Sequence, residues 1–172
     1  MVLENTGKMP YRGENIMSTI LSGNRPGLIL SFLFLLPAGI LDWKTRAIPR
    51  VLSLTGMLAG AVYAAFSVGM GDRSVQGLLL SLLPGAFLIS MTVLTGGKIG
   101  IGDGFAFLAV GLLSGFELSS LILAGGLLMA ALAGLFLIML HRAGRNTRLP
   151  FLPFSLIACG EILYVLCQNG AV

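Results

Sequence analysis

A single histidine stands in the whole chain, His141, beside two cysteines, Cys159 and Cys167. That scarcity removes whole classes of chemistry. A Ser-His-Asp triad has one histidine to draw on, and it sits among the arginines of residues 141–149, "HRAGRNTRL", where a polar interface role suits it. No CxxC pair and no Cys/His cluster exists, so a zinc site is not supplied. The two cysteines lie eight apart in an apolar run and read as small packing residues on one helix face. Charge is scarce as well: Asp, Glu, Lys and Arg make up 10% of 172 residues, against roughly a quarter in soluble domains. A water-soluble globule does not fit. Period-two alternation is missing, which speaks against a transmembrane β-barrel.

What the chain has is apolar sequence in blocks. It is 56% hydrophobic, with a mean hydropathy of +0.94. The apolar runs cover residues 27–41, 51–70, 77–95, 105–115, 118–140 and 150–168. Crossing a bilayer core of about 30 Å takes about 20 helical residues. The pattern therefore predicts an all-α integral membrane protein of about six transmembrane helices, the fourth short for a full span. Residues 1–26 read as a polar tail, with Met9 and Met17 as alternative starts, and residues 27–172 as a single transmembrane domain. Pro37 and Pro84 fall within runs and are expected to kink them. Gly56, Gly60, Gly125, Gly126 and Gly134 suit close helix packing in lipid.

Charge sets the orientation. With six spans and the N-terminus outside, the inside breaks hold Lys44, Arg46, Arg50, Lys98, Arg142, Arg145 and Arg148, seven of the eleven basic residues. The outside loops hold only Arg73. The positive-inside rule favours this arrangement and requires the short fourth run to cross. A signal peptide ending near Gly39 is the competing reading of the first run, and it would leave Lys44, Arg46 and Arg50 outside. The net charge of +4 thus reflects topology, and nucleic acid is not an expected partner.

Of seven acidic residues, only Asp42, Asp103 and Glu161 fall within membrane runs or at their inside ends, where ionisable groups are costly and often functional. Glu161 lies deep in the last run and reads as a hydrogen-bonded carboxyl facing the bundle. Asp42 closes the first run and Asp103 opens the fourth, so the topology puts both at one depth. Two carboxyls in contact share one proton. One then serves as general base on a water, while its protonated partner polarises a carbonyl and helps the amide nitrogen leave. The plainer alternative is that the aspartates cap helices or pair with Lys44, Arg46 and Lys98. Residue chemistry leaves both open.

Around Asp103 the chain reads "GGKIGIGDGF", residues 96–105. No G-K-[ST] follows, so this is not a phosphate loop. Gly100-Ile101-Gly102-Asp103 matches the GxGD motif of intramembrane aspartyl proteases, and "DWKTRAIPR", residues 42–50, resembles the D-x-x-x-R-x-I-P-N segment of type IV prepilin peptidases. "PFLPFSLIACG", residues 150–160, is similar to that family's P-F-G-P-F-L-A-x-G helix start.

The resemblance implies a membrane aspartyl endopeptidase with Asp42 and Asp103 as its catalytic pair and no cofactor or metal. Its implied substrates are prepilin or pseudopilin proteins, cut at the cytoplasmic face of the inner membrane to release a basic leader from an apolar helix. Gly100, Gly102 and Gly104 would let an extended substrate strand approach. Lys98, Arg46, Pro49, Pro150, Phe151 and Pro153 are candidates for substrate contact or support. Three departures stand out. Gly104-Phe105 replaces the common Val-Lys, Arg50 stands where asparagine is usual, and the break after the first run is short and lacks cysteine. The last implies a peptidase-only form without the methyltransferase activity of larger members. Two rivals remain: a proton- or ion-coupled carrier using Asp42, Asp103 and Glu161 as a relay, and a non-catalytic subunit that binds pilin helices.

Overall fold

The computed structural model describes residues 24–45, 49–96, 100–140 and 150–168. They form seven helices: α1 (Arg25–Thr45), α2 (Arg50–Gly69), α3 (Val75–Ser81), α4 (Leu83–Leu94), α5 (Ile101–Ser114), α6 (Phe116–Met139) and α7 (Leu152–Gln168). No strand occurs among the described residues. Four stretches are long and apolar enough to cross a membrane: Arg25–Thr45, Val51–Gly69, Val75–Leu94 and Phe116–Met139. Ile101–Ser114 and Leu152–Gln168 are shorter apolar helices. The all-α integral membrane class that the composition predicts is the class observed.

The third apolar run is two helices in line. The Ser74 hydroxyl accepts from the Gly77 N–H at 3.0 Å and caps α3. The chain then turns at Leu82, and Pro84 sits in the first turn of α4, where a missing N–H costs little. Pro84 thus marks a restart. Pro37, by contrast, lies inside the unbroken α1.

Helix α5 is the centre of the bundle, packed against α1, α2, α4 and α6. Its sequence allows this because its buried positions are mostly small: Gly104, Ala106, Ala109 and Gly111 alternate with Phe107, Val110 and Leu113. The core continues through Leu28 and Leu35 of α1, Leu118 and Ile122 of α6, and Leu152 and Cys159 of α7.

At 14 residues, α5 is about 21 Å long at 1.5 Å per residue. It falls short of a bilayer core, so its last carbonyls end inside the protein, where leaving them unpaired is costly. Neighbouring side chains reach in to meet them. Arg73, between α2 and α3, donates to the Leu112 carbonyl at 2.8 Å and the Leu113 carbonyl at 2.7 Å. Asn24 donates to the Leu113 carbonyl at 2.9 Å and accepts from the Tyr63 hydroxyl at 2.9 Å. The guanidinium lies over the Tyr63 ring, 5.5 Å from its centroid, and its burial pushes the Arg73 pKa below the usual arginine value. Gly115 then turns the chain with φ at +89°, a left-handed conformation that glycine adopts without strain. Asn24, which the sequence reading assigns to the polar tail, is therefore part of the bundle's end. The same contacts align the ends of the helices. The start of α1 and the ends of α2 and α5 meet at Arg73, so α5 runs from one end of the bundle to the other.

Two expectations on α7 need correction. Glu161 is exposed and does not face the bundle. The inner stripe of α7 is Ser155, Cys159 and Leu166, and two residues past Cys159 means a rotation of about 200°, onto the opposite face. Cys167 is likewise exposed, whereas Cys159 is buried. Eight residues overshoot two helical turns by about 80°, enough to carry the second thiol out of the core.

The capping of α5 gives a measurable outcome. Arg73→Leu is expected to lower stability by about 2–4 kcal/mol through two lost charge-assisted hydrogen bonds, and Arg73→Lys by less, since an ammonium can keep one of them. Thermal unfolding of purified protein in detergent reads the order wild type, Lys, Leu.

Candidate active site

Asp42 lies in the last turn of α1, three residues before its end. Its helix is apolar to that point, so the side chain that follows Leu35 and Ala38 on the buried stripe is carried into the protein interior. The residue is 6% exposed. Its Oδ2 accepts a hydrogen bond from the Leu152 backbone N–H at 3.2 Å, the first residue of α7, and the Phe151 N–H also contributes. The first N–H groups of a helix have no partner within it and carry partial positive charge. Asp42 thus caps a helix that is remote in sequence.

The segment "PFLPF" shapes that cap. Pro150 and Pro153 flank the two donors and have no N–H of their own, so Phe151 and Leu152 are the groups on offer. Phe151 also packs its ring on Phe107 of α5, with centroids 5.6 Å apart. Phe107 is one turn beyond Asp103. The contact therefore ties the start of α7 to the first turns of α5.

Asp103 is the third residue of α5, after the N-cap Gly100. Its carboxylate folds back over the cap: a Cβ built on Gly100 would lie 3.1 Å from Asp103 Oδ2. Residue 100 is thus crowded for anything larger than glycine. Asp103 is half-buried, at the end of the bundle that also carries Asp42. Among the described residues no basic group forms an ion pair with either carboxylate. Two carboxyls brought into contact share one proton, and Asp42 and Asp103 lie toward the same end of the bundle.

The other sequence candidates divide. Gly102 is half-buried in the first turn of α5. Gly104 is buried against α4, where an added Cβ would lie 2.5 Å from Ile89 Cγ1 and 3.2 Å from the Ile89 nitrogen. Its missing side chain therefore serves helix packing. Pro49 is the N-cap of α2. Lys98, Arg46 and His141 lie outside the described residues. Glu161 is exposed on the outer face of α7. Sequence reading missed the Leu152 N–H, because a backbone donor leaves no mark in residue type; the flanking prolines were the only signal.

The fold is that of an all-helical membrane protein, with Asp42 and Asp103 toward the same end of its bundle. A sequence profile of the type IV leader peptidase family matches residues 29–139. The chain belongs to that family, and a peptidase activity goes with membership. No curated protein and no solved structure matched. The profile spans both aspartates and stops before α7, whose N–H groups hold Asp42.

The glycine packing is open to test. Gly104→Leu should force α4 and α5 apart and cost about 1–3 kcal/mol, the range for overpacked cores. The shift is read as a lower melting temperature in detergent, and Gly69→Ala serves as control because no atom lies within 4 Å of its added Cβ.

Proposed function

We propose that the protein is an aspartyl endopeptidase that removes the basic leader of prepilin-like substrates at the cytoplasmic face of the inner membrane. The observation that supports this reading is that Asp42 and Asp103, from helices far apart in the chain, lie toward the same end of the bundle. In the proposed cycle the ionised partner takes a proton from water as its oxygen attacks the scissile carbonyl carbon. The protonated partner hydrogen-bonds the carbonyl oxygen, and collapse of the tetrahedral intermediate breaks the C–N bond as a proton passes to the amine. The chemistry uses no residue beyond the pair and the substrate's own amide.

Family membership supports a substrate of leader plus apolar helix. The fold supports it too, since an apolar groove lined by Gly39, Ile40, Trp43, Pro153 and Leu156 opens between α1 and α7, the two helices that hold Asp42. A helical peptide bond is shielded by its own turn, so the segment to be cut must unwind before it reaches the pair. The clustering of lysine and arginine in the breaks on the Asp42 side supports a cytoplasmic orientation. The exposed Glu161 weakens the relay that a proton-coupled carrier would need.

Co-expression of a prepilin with wild type, Asp42→Asn and Asp103→Asn tests the reading. Each substitution is expected to cut leader removal by at least about 100-fold, as loss of a general acid or base does, while protein levels in the membrane hold. Leader removal that survives either change at near wild-type rate would overturn it.

A further inference from the structure

Ser53 is a residue that neither the fold nor the proposed chemistry accounts for. It stands in the first turn of α2, is 4% exposed, and its Oγ is wholly buried with no hydrogen-bond partner among the described residues. Other helical serines here dispose of the hydroxyl by donating to the carbonyl four residues earlier. Ser31 does so to Gly27 at 2.8 Å, Ser67 to Tyr63 at 3.0 Å and Ser114 to Val110 at 2.8 Å. For Ser53 that carbonyl belongs to Pro49, which already accepts the Leu52 and Ser53 N–H groups at 3.0 and 3.3 Å. A buried hydroxyl without a partner is destabilising, and alanine would fill nearly the same space. Packing alone therefore gives no reason for serine.

Its position gives one. Ser53, Gly56, Gly60, Ala64 and Ser67 are buried at helical spacing and form the inward stripe of α2. Gly60 fixes the register against α5: an added Cβ there would lie 2.9 Å from Leu112 Cβ and 3.1 Å from the Ala109 carbonyl. Both helices finish at Arg73, so they run parallel. Ser53 lies seven residues before Gly60, about 10.5 Å down the axis. The same step back from Ala109 and Leu112 reaches Gly102 and Phe105, and Asp103 lies between them. The unpartnered hydroxyl thus lies at the axial level of Gly102 to Phe105, the turn of α5 that carries Asp103.

We propose that Ser53 is a positioning residue for Asp103: its hydroxyl donates a hydrogen bond to the Asp103 carboxylate when that group turns from Gly100 toward Asp42. The bond selects the rotamer in which the two carboxyls face each other. Ser53 touches neither water nor substrate and acts only through Asp103. The inference rests on the peptidase reading above and adds to it a third polar member of the site.

The test uses full-length protein in detergent and a synthetic peptide with a Lys/Arg-rich leader, a glycine at the cleavage position and an apolar helix. Ser53→Ala is expected to lower kcat by about 10-fold or more with KM unchanged, the mark of an interaction needed after binding. Its melting temperature should equal or exceed that of wild type, because a buried unpaired hydroxyl is gone. Ser53→Thr, which keeps the hydroxyl, should recover most of the rate. A wild-type kcat in Ser53→Ala overturns the proposal, as does a threonine variant as slow as alanine at wild-type melting temperature. Asp103→Asn separates the two levels. If it is inactive while Ser53→Ala is unimpaired, only the role of Ser53 falls. If Asp103→Asn retains activity, or wild type leaves the peptide intact, the peptidase reading falls with it.

Discussion

Helix α5 is shorter than a bilayer core is thick, and the rest of the bundle is arranged around that shortfall. A longer helix would leave its end groups to water and lipid headgroups. This one buries its C-terminal end, whose carbonyls must be met by side chains from elsewhere. At one end Arg73 and Asn24 close the carbonyls of Leu112 and Leu113. At the other, the first turn carries the half-buried Asp103 behind the exposed Gly100 and Ile101. The small residues along α5 let α1, α2, α4 and α6 approach its axis closely. Shortness, a packed centre and a sunken carboxylate are one design.

In the proposed reading, a capping role and a catalytic role for the aspartates need not compete. Asp42 sits at the N-terminus of α7 and Asp103 within the first turn of α5. Helix N-termini offer unpaired N–H groups and partial positive charge, and they compensate buried carboxylates where no lysine or arginine is at hand. The cap holds Asp42 still, and a group held still is a group positioned for reaction. Phe151 on Phe107 completes the frame by joining the two helix starts.

Much of this was legible in the sequence. Apolar block lengths gave the membrane class, and charge counting put Asp42 and Asp103 at one level before any motif was considered. The three motif segments then pointed to the same residues, and the structure brings two of those segments, around Asp42 and Pro150, into direct contact. What stayed hidden is physically consistent. Asn24, Arg73 and Leu152 act through hydrogen bonds to or from the backbone, and backbone partners carry no residue signature. Arg73 in particular reads as a stray outside charge until the end of α5 is seen. Glu161 and Cys167 were misjudged because facing depends on helical phase, which a block of uniform hydropathy does not reveal. Gly104 belongs to a motif by its neighbours and to a helix interface by its contacts.

The bond from Asp42 to Leu152 joins residues 110 apart in the chain. During synthesis α1 enters the bilayer early, with its carboxylate uncapped, and must wait while five more helices follow it. Asp103 arrives midway, and the N–H groups that fix Asp42 come only with α7. The pair therefore cannot adopt its held geometry on a partly made chain, however well the earlier helices have packed. A protease built this way passes through insertion, when nascent apolar segments crowd around it, with its centre unassembled.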